Sequence, residues 1–83
     1  MIKESEIYQA LEIASEMAVE VKRAREMYPR FNSTHEGYAI LLEEVEELWD
    51  EIKQKQSDNL KLRTEAIQVG AMAIRFIQDC CSD

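Results

Sequence analysis

Only Pro29, Gly37 and Gly70 can interrupt regular structure through their backbones alone, and they are spread over 83 residues. Strands need frequent turns, and turns draw heavily on Gly and Pro. So little punctuation predicts an all-α chain. A chain of this length forms a single domain over 1–83 and buries little more than about 60% of its unfolded surface. The margin of stability is thin, so the expected architecture is an antiparallel bundle of about three main helices, completed by oligomerisation.

The first helix is expected over roughly 4–28, where Ile7, Leu11, Ala14, Ala18, Val21 and Tyr28 recur at three- and four-residue intervals. Pro29 ends it. Lys22, Arg23 and Arg25 suit the dipole at its C-terminal end and are also candidates for holding phosphate. Residues 29–34 read as a connection from which Phe31 tucks inward. Ser33 and Glu36 form a capping box that opens a second helix, expected over 33–56. Gly37 in its first turns costs about 1 kcal/mol relative to alanine, which fits either close packing or a flexible start. Ser57, Asp58 and Asn59 form a short turn, and a third helix follows over 60–80. So short a link makes the second and third helices antiparallel neighbours.

At about 100° per residue, Leu41, Leu42, Val45, Leu48, Trp49 and Ile52 of the second helix fall in one arc, with Tyr38 on the same side; this arc is the expected core face. Glu43, Glu44, Glu47 and Glu51 line one flank, and Ile40 projects among them. An isoleucine among carboxylates indicates a flank that looks onto a pocket, whereas Glu46 and Asp50 lie farther round in solvent. The third helix is apolar almost all round. Leu62, Ala66, Val69, Met72, Ala73, Phe76 and Ile77 form one broad side, with Ile67, Ala71 and Ile74 behind. Such a helix is buried from several directions, and a second copy is expected to pack on it, with Ala66, Gly70, Ala71 and Ala73 allowing close approach.

Glu65 projects close to Val69, Met72 and Phe76. A buried carboxylate without a partner costs several kcal/mol or takes up a proton at a raised pKa. An internal arginine, a proton shared with another acid, or a metal ion would compensate it. Set the second and third helices together and Glu44 and Glu47 meet Glu65 and Gln68, four oxygen donors without His or Cys. That set favours Mg²⁺, with Mn²⁺ possible, over zinc. Magnesium keeps waters and binds substrate phosphates, which points to a nucleoside polyphosphate.

The net charge of −7 opposes binding to a nucleic acid polymer. No apolar run approaches the roughly 20 residues of a membrane span, and residues 1–6 carry no secretory apolar segment, so a cytoplasmic protein is expected. Cys80 and Cys81 are adjacent, which suits neither a disulfide framework nor a zinc site; they read as structural or incidental thiols. His35, the single histidine, sits beside the cap as an exposed polar residue or as a hydrogen-bonding group for a ligand base or phosphate.

The run Glu43 to Glu47 followed by Glu65 to Gln68 resembles the MazG-type all-α nucleoside triphosphate pyrophosphohydrolases, whose pattern is ExxE, usually preceded by another Glu, and a later ExxD. The resemblance covers roughly 33–80, and the run His35 to Glu44 is similar to small phage and bacterial members. It implies Mg²⁺-dependent cleavage between the α and β phosphates, releasing a nucleoside monophosphate and pyrophosphate, by a homodimer or homotetramer. On this resemblance Glu44, Glu47 and Glu65 match the metal-binding acids, and Glu43 matches the preceding Glu as a ligand or water-orienting group. These four are the expected catalytic residues. Gln68 stands where the pattern ends in Asp; its amide oxygen can coordinate a metal but brings no charge. His35, Lys53, Lys55, Arg63 and Arg75 are candidates for substrate contacts. Two alternatives remain: a nucleotide- or metal-binding protein of the same fold without turnover, and a helical oligomerisation module in which Glu65 pairs with Arg63, Arg75 or an arginine of another copy.

Overall fold

The computed structural model describes residues 1–81; Ser82 and Asp83, the end of the single domain expected over 1–83, lie outside the described residues. It contains three helices, α1 (Glu4–Met27), α2 (Thr34–Ile52) and α3 (Asn59–Cys80), and no strand among the described residues. The all-α expectation holds. Among the described residues no helix is long and apolar enough to cross a membrane.

Local chemistry sets the helix boundaries. Glu4 and Glu6 lie in the first turn of α1, where carboxylates suit the dipole, and the helix gives way to extended backbone at Tyr28, the residue before Pro29. Ser33 Oγ accepts the N–H of Glu36 at 3.1 Å. The other half of the expected capping box is shifted by one residue: the Glu36 carboxylate accepts the backbone N–H of Asn32 at 3.3 Å and its side-chain amide at 3.1 Å. The second helix ends at Ile52 instead of Gln56, because Lys53 to Gln56 offer no apolar group to hold a further turn against the bundle. Asp58 then caps α3 by accepting the N–H of Leu60 at 2.8 Å.

The helices run up, down and up. The start of α2 meets the end of α3 where Gly37 faces Phe76, and Glu44 and Glu47 reach Glu65 toward the other end. Along α1 and α3 the pairs Glu16 with Arg63, Glu20 with Gln68 and Arg25 with Asp79 climb together. Both α1 and α2 pack on α3, but not on each other. Cys80 and Cys81 are free thiols, and Cys80 Sγ lies 3.7 Å from the Ser33 carbonyl.

The core is Val21, Ala24, Phe31, Ala71 and Met72, with Ile40, Leu41, Ile74 and Phe76 against it. Phe31 is buried, as expected. The expected core face of α2 is used only at one edge: Tyr38 is 61% and Trp49 54% exposed, and Leu42, Val45 and Ile52 are exposed too. Of that face only Leu41 and Leu48 are half-buried, and Gly37, Ile40 and Glu44 are turned inward beside them. On α3 both sides are used: Ala71, fully enclosed, and Ile67, buried, come from the expected rear, and Met72 and Phe76 from the expected broad side pack into the core, while Ala66 and Ile77 of that side are exposed. On α1 the stripe Ile7, Leu11, Ala14 and Ala18 is open, and Ile13, Met17, Val21 and Ala24 pack inward. Each helix has more apolar circumference than one neighbour can cover, so periodicity finds the apolar arc without deciding which edge of it is buried.

Gly37 marks close packing. A Cβ there would stand 2.8 Å from the Phe76 ring and 3.1 Å from the Phe31 ring. Gly70 lies against the Met17 side chain in the same way. At the end of the bundle, Asp79 gathers four bonds: two from Arg25 at 2.7 and 2.9 Å, one from Arg30 at 2.8 Å, and one from the Phe31 N–H at 3.0 Å. Its side chain is fully enclosed. The hydrogen bonds from Arg25 hold its carboxyl down at about 2, against the upward pull of burial.

Because the Asp79 pKa is depressed in the folded state, its stabilisation is present above the unfolded pKa near 4 and is lost as pH falls toward 2. Asp79→Asn should lower the unfolding free energy in urea at pH 7 by about 3 kcal/mol, since two arginines lose their partner, and its deficit against the wild type should shrink toward pH 2. Gly37→Ala should destabilise by about 1 kcal/mol in the same measurement, with overpacking against Phe76 outweighing the gain in helix propensity.

Candidate functional site

Because α1 and α2 do not meet, a cleft of about 510 Å³ lies between them with α3 as its floor. Glu43, Glu44 and Glu47 of α2 lie toward one end, together with Gln68 of α3. Tyr28, Phe31 and Arg75 lie toward the other, and Ile40 and Met72 occupy the middle. Glu43, Glu44 and Glu47 of the acidic flank, with Ile40 among them, therefore face a cleft, as its composition predicts, while Glu51 lies outside the lining.

Glu44, Glu47 and Glu65 each bring a carboxylate oxygen within 4.8 Å of the other two. Opposite ligands of an ion with bonds of about 2.1 Å stand about 4.2 Å apart, so three such oxygens fit around a magnesium-sized cation with little movement. Among the described residues no lysine or arginine pairs with any of the three. Arg63 is turned to Glu16, and Arg75 to the Pro29 carbonyl and the Phe31 ring. The compensation of Glu65 by an internal arginine is thus removed, which leaves a shared proton or a cation. Burial, followed by the charge and hydrogen bond of Glu47 and the charges of Glu65 and Glu43, pushes Glu44 up to about 7. Glu65 is raised as well, first by burial and then by the charges of Glu47 and Glu51.

Gln68 is on the floor of the cleft, where its Nε2 donates to Glu20 Oε2 at 2.8 Å. Glu20 also pairs with Arg23 at 2.8 Å, and both line the cleft from α1. The structure brings Glu43, Glu44, Glu47, Gln68 and Arg75 to this cleft, with Glu65 beside Glu44 and Glu47. It does not bring in the others. His35 is exposed and outside the cleft lining, as is Lys55. Lys53 pairs with Asp50 at 3.2 Å and lies over the Trp49 ring. Arg63 lines a separate, smaller pocket between α1 and α3. Of the basic run in α1, Arg23 faces the cleft and Arg25 holds Asp79.

Glu20 is the charged cleft residue that sequence alone does not single out. What signal there is lies in its face, which on a helical count it shares with Met17, Ala24 and Met27. No protein-family model, curated protein or solved structure matches this chain.

A carboxyl whose pKa is raised on folding binds its proton more tightly in the folded state, so stability falls as pH rises through that pKa. In EDTA the melting temperature should therefore fall as pH rises from about 4.5, the unfolded carboxyl value, to about 7, where Glu44 loses its proton in the folded state, and should level off above that. Glu44→Gln should flatten that fall in a melting series followed by circular dichroism.

Proposed function

We propose that the chain is a Mg²⁺-dependent nucleoside triphosphate pyrophosphohydrolase, with Mn²⁺ an acceptable substitute, converting a nucleoside triphosphate and water to a nucleoside monophosphate and pyrophosphate. The observation that carries this reading is the convergence of Glu44, Glu47 and Glu65 at the edge of a cleft, without a cationic side chain among them. The ligand set is all oxygen, which suits a hard cation. Mg²⁺ held by these three carboxylates would neutralise phosphate charge and lower the pKa of a bound water.

Glu43, next to Glu44 on the cleft wall, accepts a hydrogen bond from the attacking water and takes its proton. The water oxygen bonds to the α-phosphorus, the bond to the α–β bridging oxygen breaks, and pyrophosphate leaves with that oxygen. Ile40, Met72 and Phe31 give the cleft an apolar lining against which the ligand loses water, and this strengthens the charged contacts.

Binding without turnover is a second reading. Gln68 favours it, because its amide is committed to Glu20 and adds no charge to the carboxylate set. The assembly belongs to the same proposal. Tyr38, Leu42, Val45, Trp49 and Ile52 are exposed at alternating four- and three-residue steps, the spacing of a helix-to-helix seam, which a second copy would cover in a homodimer or homotetramer.

Pyrophosphate release should be seen from at least one member of a panel of canonical and modified nucleoside triphosphates with Mg²⁺ or Mn²⁺, and Glu65→Gln should lower it at least 100-fold. Absence of turnover on every substrate would leave only the binding reading. Saturating Mg²⁺ or Mn²⁺ should raise the melting temperature by several degrees through linkage; an unmoved curve would remove both readings. Gln68→Asp should tighten metal binding, and unchanged affinity would place Gln68 outside the metal site. Light scattering should give a multiple of the 9.7 kDa chain mass, falling to the monomer for Trp49→Glu.

A further inference from the structure

We infer that the end of the cleft at Arg75 binds a phosphate-class oxyanion directly, without a metal ion. Arg75 lines the cleft but is only 2% exposed. A guanidinium has five N–H donors. Two of them find acceptors, the Pro29 carbonyl at 3.1 Å and the thioether of Met72 at 3.4 Å, and the second is a weak one. The buried Nε has no partner. The Phe31 ring, with its centroid 4.4 Å away, covers a face of the guanidinium plane and cannot satisfy its edge.

The charge is unbalanced as well as underbonded. Burial and then the charge of Arg25 act against the charge of Arg75, and the charge of Asp79 offsets them only in part, because its carboxylate is hydrogen-bonded to Arg25, Arg30 and the Phe31 N–H and makes no bond to Arg75. Glu20 is taken by Gln68 and Arg23, and Glu36 by Asn32. A buried cation without a directly bonded counterion is strongly unfavourable. A neutral carbonyl would satisfy the donors and leave the charge, whereas an oxyanion does both, through the paired N–H groups that make arginine a binder of phosphate and carboxylate. Although the chain carries −7 overall, Arg23 and Arg75 line the cleft, and Arg25 and Arg30 surround Asp79 outside its lining.

Arg75 lies ten residues beyond Glu65 on α3, about 15 Å along the helix axis, so a ligand reaching both is extended and is held at its two ends by opposite kinds of group. Assigning the Arg75 end to the pyrophosphate portion of a nucleotide rests on the function proposed above; the oxyanion site itself does not.

The test uses the full chain, labelled with ¹⁵N, in EDTA. The Arg75 Nε–H resonance, assigned through the backbone, is followed while inorganic phosphate, pyrophosphate, acetate or chloride is added at matched ionic strength. Phosphate and pyrophosphate should shift it saturably, acetate more weakly, and chloride not at all. Arg75→Lys, which keeps the charge and loses the fork, should weaken phosphate binding at least 10-fold. No shift with tens of millimolar phosphate or pyrophosphate would overturn the inference, as would shifts confined to Arg23 and Arg30, or tighter binding of acetate than of phosphate. Because no divalent ion is present, a positive result stands even if no nucleotide is turned over, and a negative one leaves the carboxylate site untouched.

Discussion

Asp79 holds three parts of the chain at one point: the end of α1 through Arg25, the connection through Arg30 and the Phe31 N–H, and α3 by its own backbone. Since α1 and α2 do not pack on each other, this clamp fixes the corner from which they diverge. Phe31, set by the same bond, goes on to fill the space beside Gly37 and to cover Arg75. The cleft, the close approach of α2 to α3 and the enclosure of Arg75 thus share one electrostatic anchor. A carboxylate serves here because it can accept several bonds at once, and each bond made to its ionised form holds it in that form.

At the other end the same residue type is arranged in the opposite way. Glu44, Glu47 and Glu65 have each other for neighbours instead of arginines, so burial and mutual repulsion both favour protonation. The free protein relieves this tension by holding a proton; in the proposed function a divalent cation relieves it more completely. In that proposed function the site would gain cation affinity from its own instability, because what the folded chain loses by assembling the acids would be returned when a cation binds.

The helix count, the connections, the N-cap at Ser33, the burial of Phe31 and the acidic flank around Ile40 were legible from periodicity and capping chemistry. What was not legible was the rotation of each helix. Tyr38 and Trp49 look like core from their arc alone, and Ala71 looks peripheral, because each helix is apolar over a wider angle than one neighbour covers. Glu20 and Asp79 escaped for another reason: their roles depend on pairing across more than forty residues with Gln68 and Arg25, and local spacing carries no record of that. Glu65 was legible because a carboxylate in an apolar helix is conspicuous without any knowledge of its partners.

The absence of packing between α1 and α2 has a mechanical meaning. Two walls that share only a floor and one corner behave like a pair of tongs, whose gap is set by whatever stands between the free ends. A ligand touching Arg23 on one wall and Glu44 on the other would take the place of the missing helix-to-helix contact. Ligand and protein would then share a single core, and the stiffness of the bundle would report directly on occupancy.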